Sequence, residues 1–163
     1  EIPVVLRPGY ISLEMLQEIL GEVRMDKGLL ITDASVRPKA PGMKYRHYAP
    51  KADLSIVEGP EEEVVALINR LTAQGEASGL KVGIIATDET RDYYTAGDVR
   101  SIGSREEEET IAHHLYEVLR DFDSDEVNVI YSEAFYTPRM GQAIMNRLLK
   151  AAGHKIINTE EEK

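Results

Sequence analysis

From Asp53 onward, short apolar runs alternate with amphipathic stretches, a rhythm that predicts strands separated by single helices. Leu54-Ser55-Ile56-Val57 reads as a strand, and Pro60 sits at a helix start followed by Val64, Val65, Ile68 and Leu71 on one face. Lys81-Val82-Gly83-Ile84-Ile85-Ala86 reads as a buried central strand and Asp98-Val99-Arg100-Ser101-Ile102 as a shorter one near an edge. Ser104 and Glu107 have capping-box spacing, and Ile111, Leu115, Val118, Leu119 and Phe122 then recur at helical intervals. Val127 to Tyr131 is a further strand, Thr137-Pro138 opens a helix bearing Ile144, Leu148 and Ala151, and Lys155-Ile156-Ile157 supplies a last strand. Single helices between strands imply right-handed crossovers. The predicted fold is therefore α/β, a Rossmann-like three-layer sandwich with a mostly parallel sheet over residues 53–158, inside a domain of 53–163.

The first third is different. Val4-Val5-Leu6-Arg7 predicts a strand that stops at Pro8-Gly9, and Ser12 caps a short helix with Leu13, Leu16, Ile19 and Leu20 apolar before Gly21 ends it. A lone strand and a three-turn helix bury too little surface to be stable alone, so residues 1–33 are expected to belong to a larger body. Residues 34–52 follow as an extended linker, because Pro38, Pro41 and Pro50 fix their own φ and push the preceding residues toward extended conformations.

Charge marks that linker out. The 163-residue chain carries a formal net charge of -10, yet between Ala34 and Ala52 there are Arg37, Lys39, Lys44, Arg46 and Lys51 and no acidic residue. Without these five the chain holds 14 Lys and Arg against 29 Asp and Glu, so the linker is an anion site by composition. The acidic remainder disfavours broad binding to nucleic acid, whose affinity comes largely from neutralised phosphates. A small phosphorylated ligand fits better. No cysteine is present, which excludes disulfides and thiolate metal sites and agrees with a reducing compartment. No apolar run approaches the roughly 20 residues that span a bilayer, and no charged-then-apolar leader opens the sequence, so the expected location is the cytoplasm and no membrane partner is expected. The opening Glu1-Ile2-Pro3 without methionine suggests a fragment or processed product.

In an extended chain, Lys44, Arg46 and Tyr48 point one way and Tyr45 and His47 the other, with same-face neighbours about 7 Å apart. Two cations at that spacing can straddle a di- or triphosphate, with Arg46 as a fork and Lys44 as a point charge, while Tyr45 or His47 offers a ring to a base. The alternative is a basic surface linker whose tyrosines pack on the neighbouring domain.

The string Pro41-Gly42-Met43-Lys44-Tyr45-Arg46-His47-Tyr48-Ala49-Pro50-Lys51-Ala52 resembles the interdomain linker of the two-domain threonylcarbamoyl-AMP synthases of the YrdC/YwlC group. Leu6-Arg7-Pro8-Gly9 is similar to the closing strand of that family's YrdC-type catalytic domain, and Gly141-Gln142-Ala143-Ile144-Met145-Asn146-Arg147-Leu148-Leu149-Lys150-Ala151 to the last helix of its C-terminal domain. The resemblance implies that residues 1–33 are the end of the catalytic domain, 34–52 a lid and 53–163 the C-terminal domain. It implies a parent enzyme, a nucleotidyltransferase, that turns L-threonine, bicarbonate and ATP into threonylcarbamoyl-AMP and pyrophosphate for modification of tRNA adenosine, with Mg2+ accompanying the ATP. By motif position, Arg7, Lys44, Tyr45, Arg46 and His47 would contact ATP or the product. Ala40, where serine is frequent in the family, could offer only its backbone. The lysine- and arginine-rich ATP cradle and the threonine pocket have no counterpart in these residues, so no catalytic residue is assigned. The chain alone is expected to be inactive and to bind no cofactor, with the absent YrdC-type domain as its partner and no stable direct contact to nucleic acid.

Other signals are weaker. The α/β domain lacks G-x-G-x-x-G after a strand, G-x-x-x-x-G-K-S/T and G-x-S-x-G. Ligands of open α/β sheets sit beyond the carboxyl ends of the strands, which would gather Thr87, Asp88, Gly103, Ser104, Ser132, Glu133 and Thr137, with helix amino termini available to an anion. Adjacent His113 and His114 face about 100° apart and cannot clamp one metal. Glu106 to Glu109 suit a helix first turn, and Asp121, Asp123, Asp125 and Glu126 lack the glycine and terminal glutamate of a calcium loop. Tyr93, Tyr94 and Tyr136 fall near loops, as a docking face or as loop packing. A second class of function stays open: a self-contained regulatory or ligand-binding α/β module whose basic arm recognises a protein partner.

Overall fold

Strands buried on both faces read as near-continuous apolar runs, as Val82–Ala86 does, while Asp53–Glu58 and Val129–Glu133 each bury one serine. The computed structural model describes residues 2–6, 9, 11–26, 49–136 and 141–162. Its main sheet has five parallel strands, β3 (Asp53–Glu58), β4 (Val82–Ala86), β5 (Asp98–Ser101), β6 (Val129–Glu133) and β7 (Ile156–Asn158), in the order β5-β4-β6-β3-β7. Alternate residues of each strand serve opposite layers. Leu54, Ile56, Ile85 and Ile130 pack with α3 (Glu108–Ser124) and α4 (Gly141–Ala152), while Val57 and Ile84 pack with α2 (Glu61–Ala77). The predicted α/β sandwich with a mostly parallel sheet is what the chain forms.

The chain runs from β3 over β6 to β4 and on to edge strand β5, then reverses, passing over β4 to β6 and over β3 to β7. Connections leaving β4 and β6 thus run in opposite directions across the sheet. Gly83 of β4 allows α3 to come close, because a Cβ there would stand 2.7 Å from Cε1 of the fully buried Phe122. Gly59, at φ +150°, turns the chain from β3 into α2 beneath Thr159, whose Oγ1 would lie 2.0 Å from an added Cβ.

Two predicted boundaries move. Ser104 does not cap α3, which starts at Glu108 with Glu107 at the cap position. Instead the Ser104 hydroxyl donates to Glu89 at 2.5 Å and its carbonyl accepts the Glu107 N–H at 3.0 Å, closing a turn ahead of the helix. Its first-turn acids are accordingly Glu108 and Glu109, not Glu106 and Glu107. β6 begins at Val129 rather than Val127, whose N–H is spent on the Phe122 carbonyl at the end of α3. The predicted Thr137-Pro138 helix start lies outside the described residues.

The amino-terminal piece is not a lone strand and helix. β1 (Val4–Val5) pairs in parallel with β2 (Arg24–Met25), and α1 (Leu13–Leu20) connects them. Ser12 caps α1 by accepting the Met15 N–H at 3.2 Å, and Gly21 ends it at φ +78°, both as the sequence predicts. No residue of α1 is buried: Ile19 is 82% and Leu20 54% exposed. Leu13 and Leu16 are half-buried, while Met15, Ile19 and Leu20 stay exposed among the described residues.

Candidate functional site

β6 ends in a carboxylate. Glu133 lies at the carboxyl end of a strand whose neighbours are apolar, and its side chain is only 3% exposed. A charge so placed needs several partners. Its Oε1 accepts the Tyr94 hydroxyl at 2.7 Å and the Thr90 hydroxyl, and Oε2 accepts Nη2 of Arg105 at 2.6 Å. With the Thr90 proton committed to Glu133, the Thr87 hydroxyl donates to Thr90 Oγ1 at 3.0 Å. Burial first, and the Glu133 charge second, push the Tyr94 phenol far above its ordinary value, so it remains a donor.

Arg105 is aimed by its surroundings. Nη1 donates to the Ala134 carbonyl at 3.1 Å, and the guanidinium sits 5.2 Å from the centroid of the buried Phe135 ring. Its Nε is buried and has no hydrogen-bond partner among the described residues. The loop before it is held by Glu89, which accepts the Ser104 hydroxyl and the Arg105 N–H at 2.9 Å. Burial raises the Glu89 carboxyl, but these hydrogen bonds outweigh it and hold the group below its ordinary value.

Beside Arg105 and Glu133 opens a cleft of about 300 Å³, floored by Val57, Val64 and Ala134 and walled by Glu61 and the exposed Tyr136 ring. The Tyr136 hydroxyl donates to Glu58, and burial followed by that hydrogen bond pushes its pKa up to about 12. Of the residues predicted at the strand ends, Glu133 reaches this cleft and Thr87 stands behind it. Asp88 turns aside to accept the Ser101 hydroxyl at 2.6 Å, Gly103 accepts the Asp88 N–H at 3.0 Å, and the buried Ser132 hydroxyl donates to the Glu133 carbonyl at 2.9 Å. Thr137 lies outside the described residues. Arg105 and Thr90 escape sequence reasoning, although a carboxylate closing an apolar strand is itself a signal that a cation must come from a neighbouring loop.

Arg7, Ala40, Lys44, Tyr45, Arg46 and His47 all lie outside the described residues. What is described is the root of the linker. Pro50 is buried, Ala49 and Pro50 line a groove with Tyr116, Leu119 and Arg120, and the Lys51 N–H donates to Asp123 Oδ1 at 2.7 Å. This root enters β3 at its amino end, so the six-residue strand, about 20 Å long, separates it from the cleft.

Asp98, Asp121 and Asp125 surround the Arg100 guanidinium, which also stacks 4.7 Å from Phe122. Asp121, Asp123 and Asp125 are thus engaged in structural contacts, and no metal-holding cluster of acidic or histidine side chains occurs among the described residues. His113 is a 76% exposed side chain paired with Glu117 at 3.9 Å. No helix among the described residues is long and apolar enough to cross a membrane.

The family described as threonylcarbamoyl-AMP synthase, C-terminal domain, matches residues 11–153. Threonylcarbamoyl-AMP synthase of Bacillus subtilis (strain 168) is 44% identical over 96% of this chain and 44% of its own length. The crystal structure of Pyrococcus abyssi Sua5 complexed with L-threonine superposes with a TM-score of 0.82 at 38% identity, over 95% of this chain and 44% of that one. A crystal structure of the C-terminal Sua5 domain from Pyrococcus horikoshii matches with a TM-score of 0.54 at 34% identity, over 68% of this chain and 99% of that one. The chain spans less than half the length of the curated relatives it matches. By sequence and by fold, this chain belongs to the threonylcarbamoyl-AMP synthase C-terminal domain family.

Proposed function

We propose that the chain acts as the linker and C-terminal domain of a threonylcarbamoyl-AMP synthase, which joins L-threonine, bicarbonate and ATP for tRNA modification. The observation that carries this reading is the match along 96% of the chain to a synthase more than twice as long. In the reaction, an oxygen of threonine carbamate attacks the α-phosphorus of ATP and pyrophosphate leaves. Rate acceleration of such a transfer comes mainly from fixed charge and positioning around the α-phosphate. The linker offers five cations and no acidic residue of its own. In this reading Lys44 and Arg46 pair with phosphate oxygens, Tyr45 and His47 cover the base or ribose, and Arg7 and the Ala40 backbone border the nucleotide. The carbamate site and the Mg2+-ATP cradle belong to a catalytic domain that these residues do not supply. The exposed apolar face of α1, with Met15, Ile19 and Leu20, supports burial against that domain.

The test is pyrophosphate release from ATP with threonine and bicarbonate, catalysed by the 163-residue chain. Release at the rate of a protein-free control is expected. Robust turnover would place the whole catalytic centre within these residues and overturn the proposal.

A further inference from the structure

The cleft beside Arg105 lies about 20 Å from the root of the linker, at the opposite end of β3. Its volume, about 300 Å³, suits a small molecule, and it opens at the carboxyl ends of β3 and β6, where ligands of open α/β sheets sit. Its charges decide which kind. Two carboxylates, Glu61 and Glu133, line it against one guanidinium, and the Glu58 carboxylate adjoins Tyr136 at the same mouth. A phosphate carrying about two negative charges would enter a site already net negative. Donors are nevertheless present. Among the described residues, Arg105 commits one N–H of Nη1 to Ala134 and one of Nη2 to Glu133, leaving a second N–H on each nitrogen of a side chain that is 30% exposed.

We infer that this cleft binds a free α-amino acid, with Arg105 receiving its carboxylate, Glu61 its ammonium, and Val57, Val64 and Tyr136 its side chain. The buried Glu133, Thr90 and Tyr94 cluster then serves to hold the guanidinium in register, since a buried ion pair in itself gives little net stability. The site stands whether or not the linker closes on a nucleotide.

The experiment is a titration of the 15N-labelled chain with each of the twenty standard amino acids, followed by amide chemical shifts. Ethylamine, propionate and inorganic phosphate are titrated in parallel. At least one amino acid should give saturable shifts at Gly59, Glu61, Arg105 and Ala134, while ethylamine and propionate, each with half of the charge pair, bind at least about tenfold more weakly. Arg105→Gln should weaken that amino acid about tenfold, and Glu61→Gln about threefold. Should Arg105→Gln fail to fold, Glu61→Gln on the exposed first turn carries the test alone. Saturable shifts at these residues from none of the twenty, tighter binding of phosphate there, or an affinity untouched by Glu61→Gln would each overturn the inference.

Discussion

Removing Arg105 should cost far more than neutralising Glu133, although both break the same ion pair. The pair is asymmetric, because the Glu133 side chain is 3% exposed and that of Arg105 is 30% exposed. Among the described residues, Arg105→Met leaves the Glu133 carboxylate the Thr90 and Tyr94 hydroxyls alone, and breaking a buried pair in this way costs about 3–5 kcal/mol. Glu133→Gln keeps a carbonyl acceptor of the same shape. It leaves Arg105 with the Ala134 carbonyl, the Phe135 ring and solvent, for a cost of about 1–2 kcal/mol. In the double variant no uncompensated charge remains, so it should be more stable than Arg105→Met alone. Urea unfolding followed by circular dichroism reads this directly: with a slope of about 2 kcal/mol/M, Arg105→Met lowers the midpoint by about 1.5–2.5 M and Glu133→Gln by less than about 1 M. Equal losses from the two single variants, or a double variant weaker than either, would refute the assignment of Glu133 as a buried carboxylate held by Arg105.

Gly83→Ala forces a methyl to within 2.7–3.0 Å of three Phe122 ring atoms, and Arg100 covers that ring at 4.7 Å. A loss of about 2 kcal/mol is expected, seen as a fall of about 4–8 °C in Tm. The same Tm as the parent chain would mean that α3 does not press on β4 as described. Glu89 is held below its ordinary value of 4.5, so its contribution is present above that pH and is lost as pH falls through it. Glu89→Gln should therefore lower the urea midpoint at pH 7, and its gap from the parent chain should narrow as pH falls below 4.5 through the lowered folded-state value. A gap of constant size across that range would contradict the hydrogen bonds from Ser104 and Arg105.

Much of the fold is legible because β3, β4 and β6 are buried on both faces and read as near-continuous apolar runs, while α3 and α4 show their buried stripes at helical spacing. β2 escapes because two residues, Arg24 and Met25, carry no period at all. The Ser104 cap is misplaced because Glu89, fifteen residues upstream, draws the hydroxyl away, a tertiary competition that local spacing cannot reveal. The strand-end rule finds Glu133. It does not find Arg105, whose link to Glu133 spans 28 positions and depends on where the turn before α3 falls. Opposite signs of charge meet only after folding, so the overall acidity of the chain hides the guanidinium in the cleft.

The functional proposal rests on the cations of the linker meeting a phosphorylated ligand. Its most direct test is Arg46→Ala in the full-length synthase, assayed by pyrophosphate release at varied ATP with threonine and bicarbonate saturating. A charge-assisted contact to phosphate is worth about 1.5–3 kcal/mol, so kcat/KM for ATP should fall about 10- to 100-fold while Tm stays unchanged. Full retention of kcat/KM with Arg46 removed would show that the linker only tethers the two domains.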